Sequence, residues 1–325
     1  MDQHSKSVVN KQEAVRVGNV LVLSEHDRHA LLQQQQSLSA RGYLVSETRH
    51  FVVCQKSSSQ QTVLMHTFDQ AEIDADLICF IEDELPSFGI IPTAQDFGAV
   101  LFAVLASTFP APRNQGLIWR QFCTNTLMKL RDYIAHPPAA PADVSYIAPF
   151  ATIYRRMFDL YTGQSFLDVG CSFGFLPVLL AEREPDMRIL GCDNNPDAIG
   201  FSRDLAKVSG VGHVVFTLND VLHATILDLG TFDTVVALHL LEHLSEKDLA
   251  RALTHLLHLT AKRLIIAVPY EQQARALYGH QYVFTKEKLQ QWGQWCLNTL
   301  QGAGRFWYEE VAGGMLIIER STVKE

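Results

Sequence analysis

Two short stretches of this chain hold side chains whose types and spacing could do chemistry. In the first, FLDVGCSFGFLPVLL at 166–180, a β-rich run passes through Asp168 into Gly170, Ser172 and Gly174 and then into a helical pattern. A strand, a glycine turn and a helix offer backbone N–H groups to the charged part of a ligand. A dinucleotide pyrophosphate asks for Gly-x-Gly-x-x-Gly, but here the three positions are Gly170, Ser172 and Phe175, so the third glycine is absent. The Asp168 carboxylate just ahead of the turn would repel a pyrophosphate and attract an ammonium group, which points to a zwitterionic ligand. The second stretch, HLLEHLS at 239–245, places His239, Glu242 and His243 within five residues. His243 or His239 could take a proton from a hydroxyl, since imidazole titrates near neutrality, with Glu242 orienting or tuning it. The plainer alternative makes the histidines caps of a strand end or helix start and leaves Glu242 solvated.

The elements that must position these residues alternate. β-rich runs are expected at Ser165 to Val169, Arg188 to Cys192, His213 to Leu218, Phe232 to Leu238 and Arg263 to Val268, with helical stretches between them. Asn195-Pro196 is an N-cap with proline at the first helical position, and Ser245 with Asp248 resembles a capping box before Leu249, Leu253, Leu256 and Leu257. Such alternation predicts an α/β fold with a doubly wound, mostly parallel sheet. Arg305 to Val311 and Met315 to Glu319 flank Gly313-Gly314, which adds an antiparallel C-terminal hairpin. Acidic residues recur at one edge: Asp193, 25 residues after Asp168, suits a ribose diol, and Asn219-Asp220 after the third strand could accept from an adenine amine.

Between Ala135 and Ser145 three prolines and four alanines suggest a semi-rigid linker, with a domain boundary near residue 140. Residues 1–140 then form a smaller α+β domain of unassigned role (lid, dimerisation surface or docking module), and residues 141–325 carry the chemistry. In the smaller domain, strands are expected at Val20 to Leu23, Phe51 to Gln55 and Thr62 to Thr67, and helices at Ala99 to Thr108 and Leu117 to Ile134. The acidic cluster Glu72, Asp74, Asp76, Glu82, Asp83 and Glu84 reads as a solvated surface.

With 27 basic against 35 acidic residues the net charge is −8, and neither half is basic, so the footprint of a nucleic-acid binder is missing. The longest apolar run, Phe97 to Phe109, is shorter than the about 20 residues that span a hydrocarbon core. The opening residues, from Asp2 to Arg16, lack the apolar stretch of a secretory signal, and six single cysteines without a CxxC pair suit a reducing compartment, so a cytoplasmic location is expected.

In the order of these motifs across about residues 145–325 the chain resembles the class I S-adenosylmethionine-dependent methyltransferases. The resemblance implies a Rossmann-like seven-stranded sheet and S-adenosyl-L-methionine as cofactor. It places Asp168, Gly170, Ser172 and Gly174 around the methionine moiety, Asp193 and Asn194 at the ribose, Asp220 and Val221 near adenine, and Leu238 at the end of the fourth strand. The family usually has glycine where Ser172 stands, so a positive φ there would strain the serine. An aromatic helix, Tyr146 to Leu160, precedes the first strand, where Tyr154 could meet the cofactor. The Asn/Asp-Pro-Pro-Tyr motif of amino-methylating members is missing, which favours a hydroxyl acceptor on a small or saccharide-like molecule. YGHQYVFTKEKLQQW at 278–292 resembles a segment shared by ubiquinone-pathway O-methyltransferases and small-RNA 3′-terminal 2′-O-methyltransferases. In the latter, two glutamates and two histidines hold magnesium or a similar ion. Glu242, His243 and His280 match that set, and His239 replaces the other glutamate, a more nitrogen-rich arrangement that leaves metal dependence open. The catalytic candidates are thus His243, His239, Glu242 and His280, with a divalent metal such as magnesium or manganese as a further cofactor.

Three competing readings accompany this one. Metal-assisted methylation of an RNA 3′ end is the runner-up, and a non-catalytic S-adenosylmethionine-binding module is the third. HLLEH also fits the inverted zinc-peptidase motif with Glu319 as a distant ligand, but His239 abuts a strand and not a helix. His255 and His258 are expected at the surface. The oligomeric state is open, a homodimer being one arrangement.

Overall fold

The computed structural model describes residues 14–138 and 145–321. The first thirteen residues and most of the proline-rich stretch, with the boundary placed near residue 140, lie outside them. The chain divides into two compact units, Met1–Met128 with Ala140–Ile147, and Lys129–Ala139 with Ala148–Glu325.

The first unit is built on a five-stranded sheet. In chain order it contains β1 (Val15–Val17), β2 (Val20–Ser24), α1 (Arg28–Ala40), β3 (Leu44–Glu47), β4 (Val52–Lys56), β5 (Gln61–His66), α2 (Asp76–Glu84), α3 (Ala94–Ser107) and the start of α4 (Gln115–Ala135). The strand order is β1-β2-β5-β4-β3, with β2 parallel to β5 and the other neighbours antiparallel. The β4–β5 hairpin turns through the polar residues expected as its loop. Asp27 and Thr93 start α1 and α3 by accepting from the N–H groups of Ala30 and Asp96. Val52, Cys54, Val63 and Met65 face Leu31 and Leu38 of α1 in one core.

The acidic cluster is a solvated surface only in part: Glu72 and Asp83 are exposed as expected, and others are not. Asp74 and Asp76 are buried, and Asp76 accepts the Ser145 hydroxyl and the Ile147 N–H, both at 2.9 Å. Glu84 accepts the His50 N–H and the Thr48 hydroxyl. These carboxylates satisfy donors that the turning backbone leaves unpaired, a demand that charge density along the sequence does not reveal.

The second unit holds α5 (Ile147–Leu160), β6 (Ser165–Val169), α6 (Phe175–Arg183), β7 (Arg188–Asp193), α7 (Pro196–Val208), β8 (Val215–Leu218), β9 (Phe232–Leu238), α8 (Glu246–Leu259), β10 (Thr260–Val268), α9 (Lys286–Thr299), β11 (Gly304–Glu310) and β12 (Gly314–Arg320). Its seven strands run β11-β12-β10-β9-β6-β7-β8, as expected for a doubly wound sheet. The five from β10 to β8 are parallel, and the β11–β12 hairpin joins β10 antiparallel. Buried on both faces, the central strands read as continuous apolar runs. Leu249, Ala252, Leu253, Leu256 and Leu257 form the buried stripe of α8, in one core with Leu167 of β6 and Leu264 of β10. The sheet order reverses between β9 and β6, so a crevice opens beyond the carboxyl ends of those two strands.

Two local expectations change. The Ser245 hydroxyl bonds the Asp248 carboxylate instead of a backbone N–H, so the anticipated capping box is a side-chain pair. His258 is exposed as expected, whereas His255 is half-buried and lies 2.7 Å from the Val221 carbonyl through Nδ1. Its face of α8 covers the loop after β8, which the helical period alone does not specify.

Asp76→Ala would leave the Ile147 N–H unpaired in a buried setting. We expect a loss of about 1–3 kcal/mol in urea denaturation, and an unchanged midpoint would show that Asp76 does not anchor this turn.

Candidate active site

Both stretches singled out in the sequence meet at the switch point. Asp168 ends β6, and His239 follows β9 directly. The glycine loop packs on the second stretch: a Cβ at Gly170, where φ is +78°, would sit 2.9 Å from the Leu240 side chain. At Gly174, φ +75°, it would meet the Phe216 ring and Ser202 at 2.7 Å. Glycine is needed at both places for conformation and for space. Ser172 does adopt the left-handed region, φ 47°, the strained geometry anticipated if serine stood where relatives have glycine.

Asp193 ties the loop to β7. Its two carboxylate oxygens accept from the N–H groups of Ser172 and Asn195, each at 2.9 Å, and each keeps a further lone pair for a ligand hydroxyl. Asn194 is exposed beside it. The Gly170 and Cys171 N–H groups bond the Cys192 carbonyl, so they brace the loop and do not point at a ligand. No side chain caps α6, whose first turn keeps N–H groups unpaired by the helix. Asp220 accepts from the Leu222 N–H and turns the chain after β8, with Val221 buried beneath. Leu238 is buried at the end of β9, and Tyr154 on α5 is buried against Phe150.

Asp168 is 5% exposed, and no hydrogen-bond partner reaches its carboxyl among the described residues. Burial, with the Asp193 charge nearby, pushes its pKa up to about 8. A buried acid of this kind favours a cationic group brought to it.

On the other side of the crevice a single 3-10 turn, Leu241–His243, carries the second stretch. Glu242 is 1% exposed and both its carboxylate oxygens lack a hydrogen-bond partner. Burial, joined by the Glu271 charge, pushes it up to about 8. Side-chain donor atoms of Glu242, His243 and His280 lie within 4.8 Å of one another. The turn is stapled to the segment bearing His280 by the Gln281 and Tyr282 N–H groups, which donate to the Glu242 carbonyl, and by the Gln281 side-chain amide, which donates to the His243 carbonyl.

His239 stands outside this trio. Its Nδ1 is 3.5 Å from a Glu242 oxygen, its Nε2 is unpartnered, and its ring lies 4.7 Å from that of Phe150. Burial drives its pKa down to about 4, so the ring is neutral at ordinary pH. Burial likewise lowers that of His243. An inverted zinc-peptidase site does not form: the turn is not an α-helix, and Glu319 is engaged by Arg263 and Arg305.

One residue escaped the sequence analysis. Glu271 lies 2.9 Å from His280 Nδ1 and is itself 11% exposed. Its signal was its position, an acid directly after Pro269-Tyr270 at the carboxyl edge of β10, where the other site acids also end strands.

A family model described as a methyltransferase domain matches residues 166–263, from β6 into β10. These residues carry a methyltransferase domain. Over 118 residues the chain is 31% identical to the magnesium-protoporphyrin O-methyltransferase of Rhodobacter capsulatus, covering 36% of this chain and 50% of that protein. The chain therefore spans half the length of this curated relative. Among solved structures, the methyltransferase domain of a bacterial Hen1 overlaps at TM-score 0.44, with 14% identity over 53% of this chain and 96% of that one. The magnesium protoporphyrin IX methyltransferase of Synechocystis PCC 6803 overlaps at 0.41, with 16% identity over 63% and 99%. The matched span holds Asp168, Gly170, Ser172, Gly174, Asp193, Asp220, His239, Glu242 and His243, whereas Phe150 and Tyr154 precede it and Glu271 and His280 follow it.

The raised acids fix a pH dependence. Asp168 binds a proton in the folded domain up to about pH 8 but loses it near pH 4 when unfolded, so the folded state holds more protons in that window. The Asp168 share of stability falls as pH rises from about 4 to 8 and levels off above. Asp168→Asn should remove its share of that slope, at most about 1.4 kcal/mol per pH unit. Thermal melts from pH 5 to 9 read it, and identical slopes in both proteins would overturn the assignment.

Proposed function

We propose that this protein transfers a methyl group from S-adenosylmethionine to a hydroxyl oxygen of a small or saccharide-like acceptor, assisted by a divalent cation. The observation that carries this reading is the Glu242 carboxylate, buried with both oxygens unpartnered, with His243 and His280 beside it. A buried carboxylate is expected to have a cationic partner, and one carboxylate with two imidazoles suits magnesium, manganese or a more nitrogen-seeking ion. The O-methylation named for the curated relative supports oxygen as the accepting atom. The net charge of −8 argues against a polyanionic acceptor.

S-adenosylmethionine supplies an already activated methyl on its sulfonium. Around it Asp168 holds the ammonium group, Asp193 accepts from the ribose hydroxyls with Asn194 beside it, and Asp220 accepts from the adenine amine above Val221. Gly170 and Gly174 keep the loop clear of side chains, and Leu238 supplies an apolar floor. A cation held by Glu242, His243 and His280 would supply Lewis acidity that makes an acceptor hydroxyl easier to deprotonate. His239, neutral and with Nε2 free, is placed to receive that proton. The chain's main contribution is alignment for in-line displacement across the crevice.

Calorimetry with S-adenosylhomocysteine and with Mn²⁺ separates the two halves of the proposal. Asp193→Ala should lose S-adenosylhomocysteine binding while melting normally. Glu242→Gln and His243→Ala should keep that binding and lose Mn²⁺. Wild-type protein that binds neither would reject the function, and turnover that resists EDTA would reject the cation.

A further inference from the structure

We infer that Glu271 is a positioning residue that holds His280 in one tautomer and orientation, and so prepares its other ring nitrogen to act in the site. The inference rests on the cation reading above and extends it to a residue outside the trio. His280 Nδ1 lies 2.9 and 3.0 Å from the two Glu271 oxygens, with both side chains about nine-tenths buried. A carboxylate only accepts hydrogen bonds, so the nitrogen facing it carries the proton. The proton on Nδ1 leaves Nε2 with its lone pair free, the form in which imidazole binds a cation. The His243 and His280 rings stand edge to face, 4.8 Å between centres, so a ring flip would break the Glu271 contact and disturb His243 together.

The backbone supports the same geometry. Glu271 sits just past β10, where Tyr270 bridges to Phe284, and the Arg275 carbonyl accepts the His280 N–H at 3.2 Å. Arg275 also places its guanidinium 3.7 Å from a Glu271 oxygen, on the same loop. The loop from 271 to 280 thus closes on itself, while residues 281 and 282 fasten it to the Glu242 turn. Two ligand-bearing segments far apart in sequence are joined by backbone, and Glu271 sets the one side-chain torsion that this joining leaves free. Carboxylate support of a ligating histidine is generally worth about 10- to 100-fold in metal affinity.

The test uses the full chain with Mn²⁺ titration and nitrogen-15 NMR of the histidine rings. Glu271→Ala should weaken Mn²⁺ binding about 10- to 100-fold and shift His280 from the Nδ1–H tautomer toward a mixture, with S-adenosylhomocysteine affinity unchanged. Glu271→Gln keeps the size and one acceptor oxygen, so it should fold, retain most of the Nδ1–H form and lose less affinity. Wild-type Mn²⁺ affinity or an unchanged His280 tautomer in Glu271→Ala overturns the inference. Should wild-type protein bind no Mn²⁺, the cation reading fails, and the tautomer shift still decides whether Glu271 sets His280. Should Glu271→Ala not fold, a His280 ring signature and Mn²⁺ affinity in Glu271→Gln equal to wild type would count against it.

Discussion

A carboxylate with both oxygens buried and unpartnered is costly to hold, and much of the second unit serves to hold one. Glu242 cannot turn to solvent because its 3-10 turn is pinned between the end of β9 and the 281–282 backbone. Leaving such a group unsatisfied costs about 1–3 kcal/mol, more if it is charged. The fold meets that cost from the apolar stripe of α8 and the shared core of β6, β9 and β10. A core of that size can carry one frustrated group without losing its shape, and frustrated groups of this kind mark sites where a ligand completes the electrostatics.

The same logic applies across the crevice to Asp168. Two buried acids with raised pKa values face one cleft, but they call for different complements. Asp168 stands near the end of a strand beside a glycine loop, with the Asp193 charge nearby. Glu242 stands among imidazoles, whose ring nitrogens offer lone pairs to a metal ion. The donor chemistry around each acid separates the two ligands, and the packing of Gly170 on Leu240 sets the distance between them.

The sheet was legible in the sequence because its strands are buried apolar runs bounded by strong helix starts: Ser165–Val169 and Phe232–Leu238 match their expected bounds, and the others differ by a few residues. The acids at strand ends were legible because a parallel sheet gathers such positions at one edge. Glu271 was not, since nothing in a lone acid after Pro269-Tyr270 reveals that a loop will fold its neighbour His280 back onto it. The burial of Asp76 and the half-burial of Glu84 were hidden for a related reason: each accepts a backbone N–H far away in sequence, 71 and 34 residues off. Contacts fixed by local period can be read from sequence; contacts made by loop closure cannot.

Among the described residues, two of the five non-glycine positions with positive φ fall at the same two loops. Ser172 and His239 both occupy the left-handed region, at φ 47° and 51°, one on each side of the switch point. Each such residue costs about 1–3 kcal/mol and persists only where its surroundings leave no alternative. For Ser172 the surroundings are the Asp193 carboxylate, which grips its N–H. For His239 they are the Ala267 carbonyl, which accepts its N–H at 2.8 Å, and the Phe150 ring against its face. A glycine would adopt either conformation at less cost, so the side chains are retained for what they do. Ser172 can present a hydroxyl beside the aspartate placed at the ribose, and His239 presents a free ring nitrogen beside Glu242. On the proposed function, a left-handed residue on each side of the switch point directs both groups to the same edge of the sheet.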